Sequence, residues 1–393
     1  MKTKSILQAV LPIVLAAYAM GCASPAAPAG DPNQSDPNIV GDDNRAPTTP
    51  SSPPVSDAPP AAAPPAAPPP AAPHAPAIAT AKIHAAPVWA YAVSNDAVFV
   101  ATDSTVERTA PDGTAVMTLP GLTTAMSLAT DGTRLYAMLD QGSSADLYST
   151  KTDGSDNIHH LSWNWGYGDP GALAVNGGRI YFSATDSSQR SNSMLVSIAA
   201  PAPASPYDNP WRIEEYVDAQ NLAPAFTTDR LFAIDYYRQS AVRVSTVDAS
   251  QSVDVIEDTL PTSAAGIATD GKDVYTRTTK GIVKVAIGSG ENTAPIVVVP
   301  SATCSIFDPA DGSESMLDDA LVVDGATIYT ACRAGANVEI RAYATNGTLT
   351  KVVATAPYVG GVSHLRITST AAYWLSATSA GAQSSSELWR AAK

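Results

Sequence analysis

Gly266–Thr278, GIATDGKDVYTRT, decides how the chain is read. A short apolar run meets Asp270-Gly271, and the apolar–aromatic pair Val274-Tyr275 follows. Asp-Gly between apolar runs is a strong hairpin signal, because a two-residue turn wants positive φ at both central positions. Six variants recur: AVSNDAVFV (Ala92–Val100), LATDGTRLYAML (Leu128–Leu139), LAVNGGRIYFSA (Leu173–Ala184), FTTDRLFAID (Phe226–Asp235), LVVDGATIYTAC (Leu321–Cys332) and ITSTAAYWLSA (Ile367–Ala377). Their aromatic anchors are Phe99, Tyr136, Tyr181, Phe232, Tyr275, Tyr329 and Trp374, spaced 37 to 54 residues apart.

Each copy reads as strand, turn, strand. A third strand follows in LYSTKTDG (Leu147–Gly154), VRVSTVDAS (Val242–Ser250), IVKVAIGSG (Ile282–Gly290) and IRAYATNG (Ile340–Gly347). A fourth comes next, as in NIHHLS (Asn157–Ser162) or DVIEDTL (Asp254–Leu260). A step of this length suits a four-stranded propeller blade. The expected fold is therefore all-β: a seven-bladed β-propeller, with six or eight blades left open by the short first copy and the insertion in the longest step. The last copy ends soon after its third strand, SELWRAAK (Ser386–Lys393). The unassigned stretch IATAKIHAA (Ile78–Ala86) would supply the missing outer strand and close the ring, removing two exposed sheet edges. The repeated A-x-D-G-x-x-[VI]-Y pattern is similar to the degenerate repeats of NHL-like and TolB-like exported bacterial propellers. That resemblance spans 78–393 and implies a fold, with no active residues. Asp131, Asp270 and Asp324 read as turn residues.

The chain begins like an export signal. Lys2 and Lys4 precede the apolar core Ile6–Met20, which is too short to span a membrane. It ends in Ala19-Met20-Gly21-Cys22. This resembles the lipobox of bacterial lipoproteins, which implies that Cys22 is lipidated and becomes the first residue. Ala19 and Met20 depart from the commoner Leu-Ala or Leu-Ser. Ala23, rather than Asp, after the Cys implies sorting to the outer membrane, on its periplasmic or surface side. Residues 23–77 hold 17 of the 32 prolines, a composition that cannot bury a core. At about 3.1 Å per residue such a tether could reach on the order of 170 Å. The expected division is thus 1–22 lipoprotein signal, 23–77 tether and 78–393 propeller.

The net charge is −14; five acids and three bases precede residue 78, so the remainder carries 32 acids and 20 bases. An acidic chain without a Lys/Arg cluster speaks against nucleic acid. It favours solubility and neutral or cationic partners. Besides Cys22 there are two cysteines, Cys304 and Cys332, an even pair that an oxidising compartment would join as a disulfide. Two buried thiols are the alternative.

In a propeller, taking the strands of each blade as A to D from the channel outward, the D–A and B–C loops share one face and the A–B turns the other. The longer loops make the D–A/B–C face the expected site. SWNWGYGDP (Ser162–Pro170) reads as one of those loops, with Trp163, Trp165, Tyr167 and Asp169; SPYDNPWRIEEY, with Trp211, would extend it. Aromatic rings beside hydrogen-bonding groups suit sugars or a protein hot spot, and the alternative is that the tryptophans fill gaps between blades. Asp308, Asp311, Glu314, Asp318 and Asp319 cluster in sequence, but their spacing is not that of a calcium loop. His364 beside Asp318 and Asp319 is the only acid/base arrangement suggested. His159 and His160 read as surface residues of an outer strand. There is no HExxH, GxSxG or P-loop motif. The sum implies a monomeric, cofactor-free binding or scaffolding platform for an envelope protein or polysaccharide. A polysaccharide lyase or hydrolase and a structural spacer are the alternatives. If Cys22 carries lipid, Cys22→Ser abolishes incorporation of a clickable palmitate analogue and releases the chain from the membrane pellet. Labelling that persists in the variant excludes this anchor.

Overall fold

The computed structural model describes residues 80–393 except 86, 143, 165–169, 187–191, 200–210, 216–223, 235–241, 247–251, 257–264, 290–292, 306–319, 360 and 379–385. Among the described residues every regular element is a strand, and the strands form seven four-stranded antiparallel sheets. After β1 (Thr80–His84), the first sheet runs β2 (Ala90–Val93), β3 (Val98–Ala101), β4 (Val106–Thr109), β5 (Met117–Leu119). The second is β6 (Ala125–Thr130), β7 (Arg134–Asp140), β8 (Ser144–Lys151), β9 (Ile158–Asn164). The third is β10 (Pro170–Asn176), β11 (Arg179–Asp186), β12 (Asn192–Ala199), β13 (Trp211–Glu215). The fourth is β14 (Ala225–Phe226), β15 (Arg230–Ile234), β16 (Val242–Thr246), β17 (Ser252–Ile256). The fifth is β18 (Ala265–Thr269), β19 (Asp273–Thr278), β20 (Gly281–Ala286), β21 (Ile296–Pro300). The sixth is β22 (Leu321–Asp324), β23 (Thr327–Ala334), β24 (Asn337–Ala344), β25 (Leu349–Pro357). The seventh takes β26 (Val362–Ile367), β27 (Ala371–Ala377) and β28 (Ser386–Ala392) and is completed by β1, with Thr80 opposite Ala391 and Lys82 opposite Trp389.

Each sequence repeat is the first hairpin of one sheet. The second strand of that hairpin is buried on both faces, so its residues alternate between two neighbours. Leu135 packs with the first sheet and Tyr136 with the third. Ile180 and Tyr181, Leu231 and Phe232, Val274 and Tyr275, and Ile328 and Tyr329 divide in the same way between the preceding and the following sheet. Fully burying an aromatic ring contributes roughly 1.5–3 kcal/mol. A hydrogen bond at a turn is worth nearer 1 kcal/mol. The inter-sheet contacts, not the turns, therefore carry most of the stability.

The seventh sheet differs from the sequence reading by one residue. Trp374 packs back on the sixth sheet, while Tyr373 occupies the anchor position and packs with Val88 and with Tyr91, Val98 and Val100 of the first sheet. A slip of one residue changes the face in any strand. The same alternation corrects His160: it is 4% exposed, whereas its neighbour His159 is exposed. The His160 ring lies near Tyr136, and its Nε2 is 2.8 Å from Ser149 Oγ.

Turn geometry also departs from expectation. Gly177 and Gly178 do take positive φ, 56° and 74°. At Asp131-Gly132 and Asp270-Gly271 only the glycine does, because three residues rather than two separate the strands. The aspartate side chain closes those turns instead.

Gly347 marks where one sheet interlocks with the next. It turns at φ 87° between β24 and β25, and a Cβ there would sit 1.9 Å from the Val298 carbonyl oxygen of β21. Gly132 has the same φ and nothing within 4 Å. Gly347→Ala is expected to destabilise by about 2 kcal/mol or more and Gly132→Ala by about 1 kcal/mol, measured by urea unfolding. Equal effects would show that only backbone strain matters at the β24–β25 turn.

Candidate functional site

The first-hairpin turns are small polar clusters. Asp131 Oδ1 accepts the backbone N–H of Thr133 and Arg134, each at 2.8 Å, and Oδ2 accepts Tyr136 Oη–H at 3.1 Å. Asp270 repeats this with Lys272, Asp273 and Tyr275 at 2.8, 2.7 and 2.8 Å. The preceding threonines complete each turn. Gly132 N–H donates to Thr130 Oγ1 at 3.1 Å and Gly271 N–H to Thr269 Oγ1 at 3.0 Å. A hydroxyl does comparable work at Ser94, Thr227 and Thr368. Burial would raise the pKa of Asp131, but the N–H and hydroxyl donors outweigh it and hold the carboxyl below its ordinary value. Burial, then the Asp131 charge, push Tyr136 up to about 12. Asp131 and Asp270 therefore close their turns.

Four of these turns wall a cavity of about 640 Å³. The third sheet supplies Asn176 and Arg179, the fourth Phe226 and Thr227, the fifth Asp270, and the sixth Gly325. Arg179 is fixed from behind: its Nε donates to Ser197 Oγ at 2.7 Å. Phe226 leans on the buried Tyr181 ring, with centroids 4.8 Å apart. Sequence reasoning favoured the opposite face and missed this one, because short turns looked like pure structure. The signal was the break in the Asp-Gly pattern at Asn176-Gly177-Gly178-Arg179.

The opposite face, where the expected site lies, is described in part. Trp163 belongs to β9, opposite Ala145, and not to a loop; only residues 165–169 separate β9 from β10. Trp165, Tyr167 and Asp169 lie outside the described residues. Trp211 opens β13 opposite Ser197, so it sits at the end of its sheet toward the first-hairpin turns, away from the end that carries Trp163. Cys22, Asp308, Asp311, Glu314, Asp318 and Asp319 also lie outside the described residues. His364 sits in β26 at φ 55°, inside a register shift between Ser363 and Arg366, and its carbonyl accepts the Tyr91 hydroxyl. Cys304 and Cys332 are joined by a disulfide, their Cα atoms 4.9 Å apart. Trp89 is an aromatic that sequence reasoning passed over. It is 46% exposed, and its indole N–H donates to Asp103 at 2.5 Å. Arg333 stacks over Tyr358 at 4.6 Å on the same face. Among the described residues no group of three or more His, Cys, Asp or Glu could hold a metal ion.

No family model matches the chain, and no curated protein matches it. Among solved structures, the WD40 propeller domain of Doa1 is similar over 80% of this chain and 95% of that one, at 12% identity and a TM-score of 0.50. Hsv2 from Kluyvelomyces marxianus is 9% identical, covering 74% of this chain and 89% of that one at a TM-score of 0.47. BamB from Moraxella catarrhalis is 13% identical, covering 77% and 85% at 0.44. At 12% identity the likeness to the Doa1 domain shows the propeller fold alone.

The buried histidine gives a pH dependence. Burial, then the Arg134 charge, lower the His160 pKa from 6.5 to about 4. The unfolded chain thus gains a proton near pH 6.5, whereas the folded chain does not until about pH 4. Stability is full above pH 6.5 and falls between 6.5 and 4, by on the order of 2 kcal/mol. His160→Gln should flatten that limb in urea titrations at stepped pH. An unchanged slope would assign the acid limb to other groups.

Proposed function

We propose that this chain is an exported, lipid-anchored protein whose closed seven-bladed propeller serves as a binding platform for an envelope polysaccharide or protein. The observation that carries it is the seventh sheet: Tyr373 and β1 join the last sheet to the first, as in a ring. Seven interfaces of this kind make a rigid frame, on which loops and turns are free to serve recognition. Cys22 would hold the protein at the outer membrane, and residues 23–77 would stand the ring away from it. The proposed frame occupies 78–393 and acts as a monomer without a cofactor. A second reading, a lyase or hydrolase using His364 with Asp318 or Asp319, is favoured by the strained φ of His364, since such strain gathers at functional sites.

Affinity electrophoresis of the full chain carrying Cys22→Ser, against a panel of envelope polysaccharides, tests the platform. Retention that is lost in a Trp163→Ala/Trp165→Ala variant with an unchanged melting temperature supports glycan binding through that segment. No retention of any polysaccharide refutes the glycan arm and leaves protein partners. Depolymerisation abolished by His364→Ala would overturn the platform in favour of the enzyme.

A further inference from the structure

Two arginines at equivalent places mark a site. Arg134 and Arg179 each open the second strand of a sheet, two residues before the anchors Tyr136 and Tyr181. Both lie across the third strand in the same posture. Arg134 Nε donates to Ser149 Oγ at 3.1 Å and Nη2 to the Ser149 carbonyl at 3.3 Å. Arg179 Nε donates to Ser197 Oγ at 2.7 Å and Nη2 to the Ser197 carbonyl at 3.5 Å. There the likeness ends. Arg134 Nη1 meets Asp156 Oδ2 at 2.8 Å, and its Nη2 meets the Asp156 carbonyl at 2.6 Å. Arg179 makes no ion pair among the described residues, and it stands in the cavity wall.

We propose that the cavity walled by the turns of the third to sixth sheets binds a sugar acid, with Arg179 receiving its carboxylate. The guanidinium is aimed by Ser197 and keeps Nη1 for a charge-assisted bond, which a fixed planar fork makes well. The rest of the wall suits hydroxyl groups. Asn176 offers an amide and Thr228 a hydroxyl. Asp270 accepts three bonds from its own turn, and a carboxylate has about four acceptor sites, so one remains for a ligand hydroxyl. The half-buried Phe226 ring gives the C–H face of a sugar an apolar wall. A volume of about 640 Å³ lies within the usual range for small-ligand sites. A neutral sugar would leave Arg179 without its counter-charge, and a bare inorganic anion would leave the hydroxyl-binding wall unused. This site does not depend on the platform reading, since it uses none of the residues tested there.

Isothermal titration of the full-length chain in detergent with sodium glucuronate, sodium galacturonate and glucose tests it. A uronate should bind with a Kd of about 1 mM or tighter, and glucose about tenfold more weakly. Arg179→Gln should weaken uronate binding about tenfold or more and leave glucose unchanged, while Arg134→Gln leaves uronate binding intact. Thr228 is exposed in its turn, so Thr228→Trp fills the cavity without disturbing the Ser197 anchor and should abolish binding even where Arg179→Gln does not fold. The proposal fails on any of four results: no uronate heat up to about 20 mM, glucose binding as tightly as uronate, undiminished binding by either cavity variant, or inorganic phosphate binding as tightly as uronate.

Discussion

The whole fold depends on one constraint: the second strand of every sheet must serve two neighbours at once. Its side chains alternate, so an apolar residue faces back and an aromatic one faces forward. Val98 and Phe99 begin the series, and Ala372 and Tyr373 end it. Tyr373 then meets Tyr91 and Val98 of the first sheet. The seventh sheet thus packs on residues of the first through the same alternation. No sheet has a large core of its own, and each is stable only between its neighbours, as in other repeat architectures.

The turns follow from this. With packing fixed by the strands, the hairpin ends are left to polar chemistry, and each is satisfied locally. Where the turn is three residues long, an aspartate closes it and a tyrosine hydroxyl of the same sheet finishes the carboxylate. Where the turn is shorter, at Asp324, the carboxylate is released from that duty and pairs with Lys393 instead. The same residue type therefore does different work according to one residue of spacing. The two arginines share one posture on the third strand, and among the described residues only Arg134 meets a carboxylate beyond it.

Much of this was legible because period-2 alternation and turn chemistry are local. All seven hairpins, and a strand at the start of the domain to complete the last sheet, could be read from residues alone. Phase was less legible. In AAYWLS two aromatics stand side by side, and sequence cannot say which faces forward; Tyr373 does, not Trp374. His159-His160 posed the same problem, and one of the pair is buried. The ends of strands were misjudged where an aromatic suggested a loop: Trp163 and Trp211 both lie in fourth strands, at opposite ends. The cavity was not legible at all. It arises from turns more than forty residues apart brought side by side, and no local signal records that Arg134 meets a carboxylate where Arg179, among the described residues, meets none.

An acidic body would be expected to repel an acidic ligand, yet a single cation can decide otherwise. At physiological salt the Debye length is about 8 Å, so the mean field of a net −14 chain fades within a few water layers. What remains is the contact itself. A guanidinium held by two bonds to Ser197 loses little freedom when a carboxylate arrives, so little of the pairing energy is spent on ordering it. The surrounding acidity then works for selectivity: anions are discouraged from loose association everywhere, and accepted only where hydroxyl contacts hold the carboxylate against Arg179. A lone cation in such a wall discriminates better than a basic patch, which would take any polyanion.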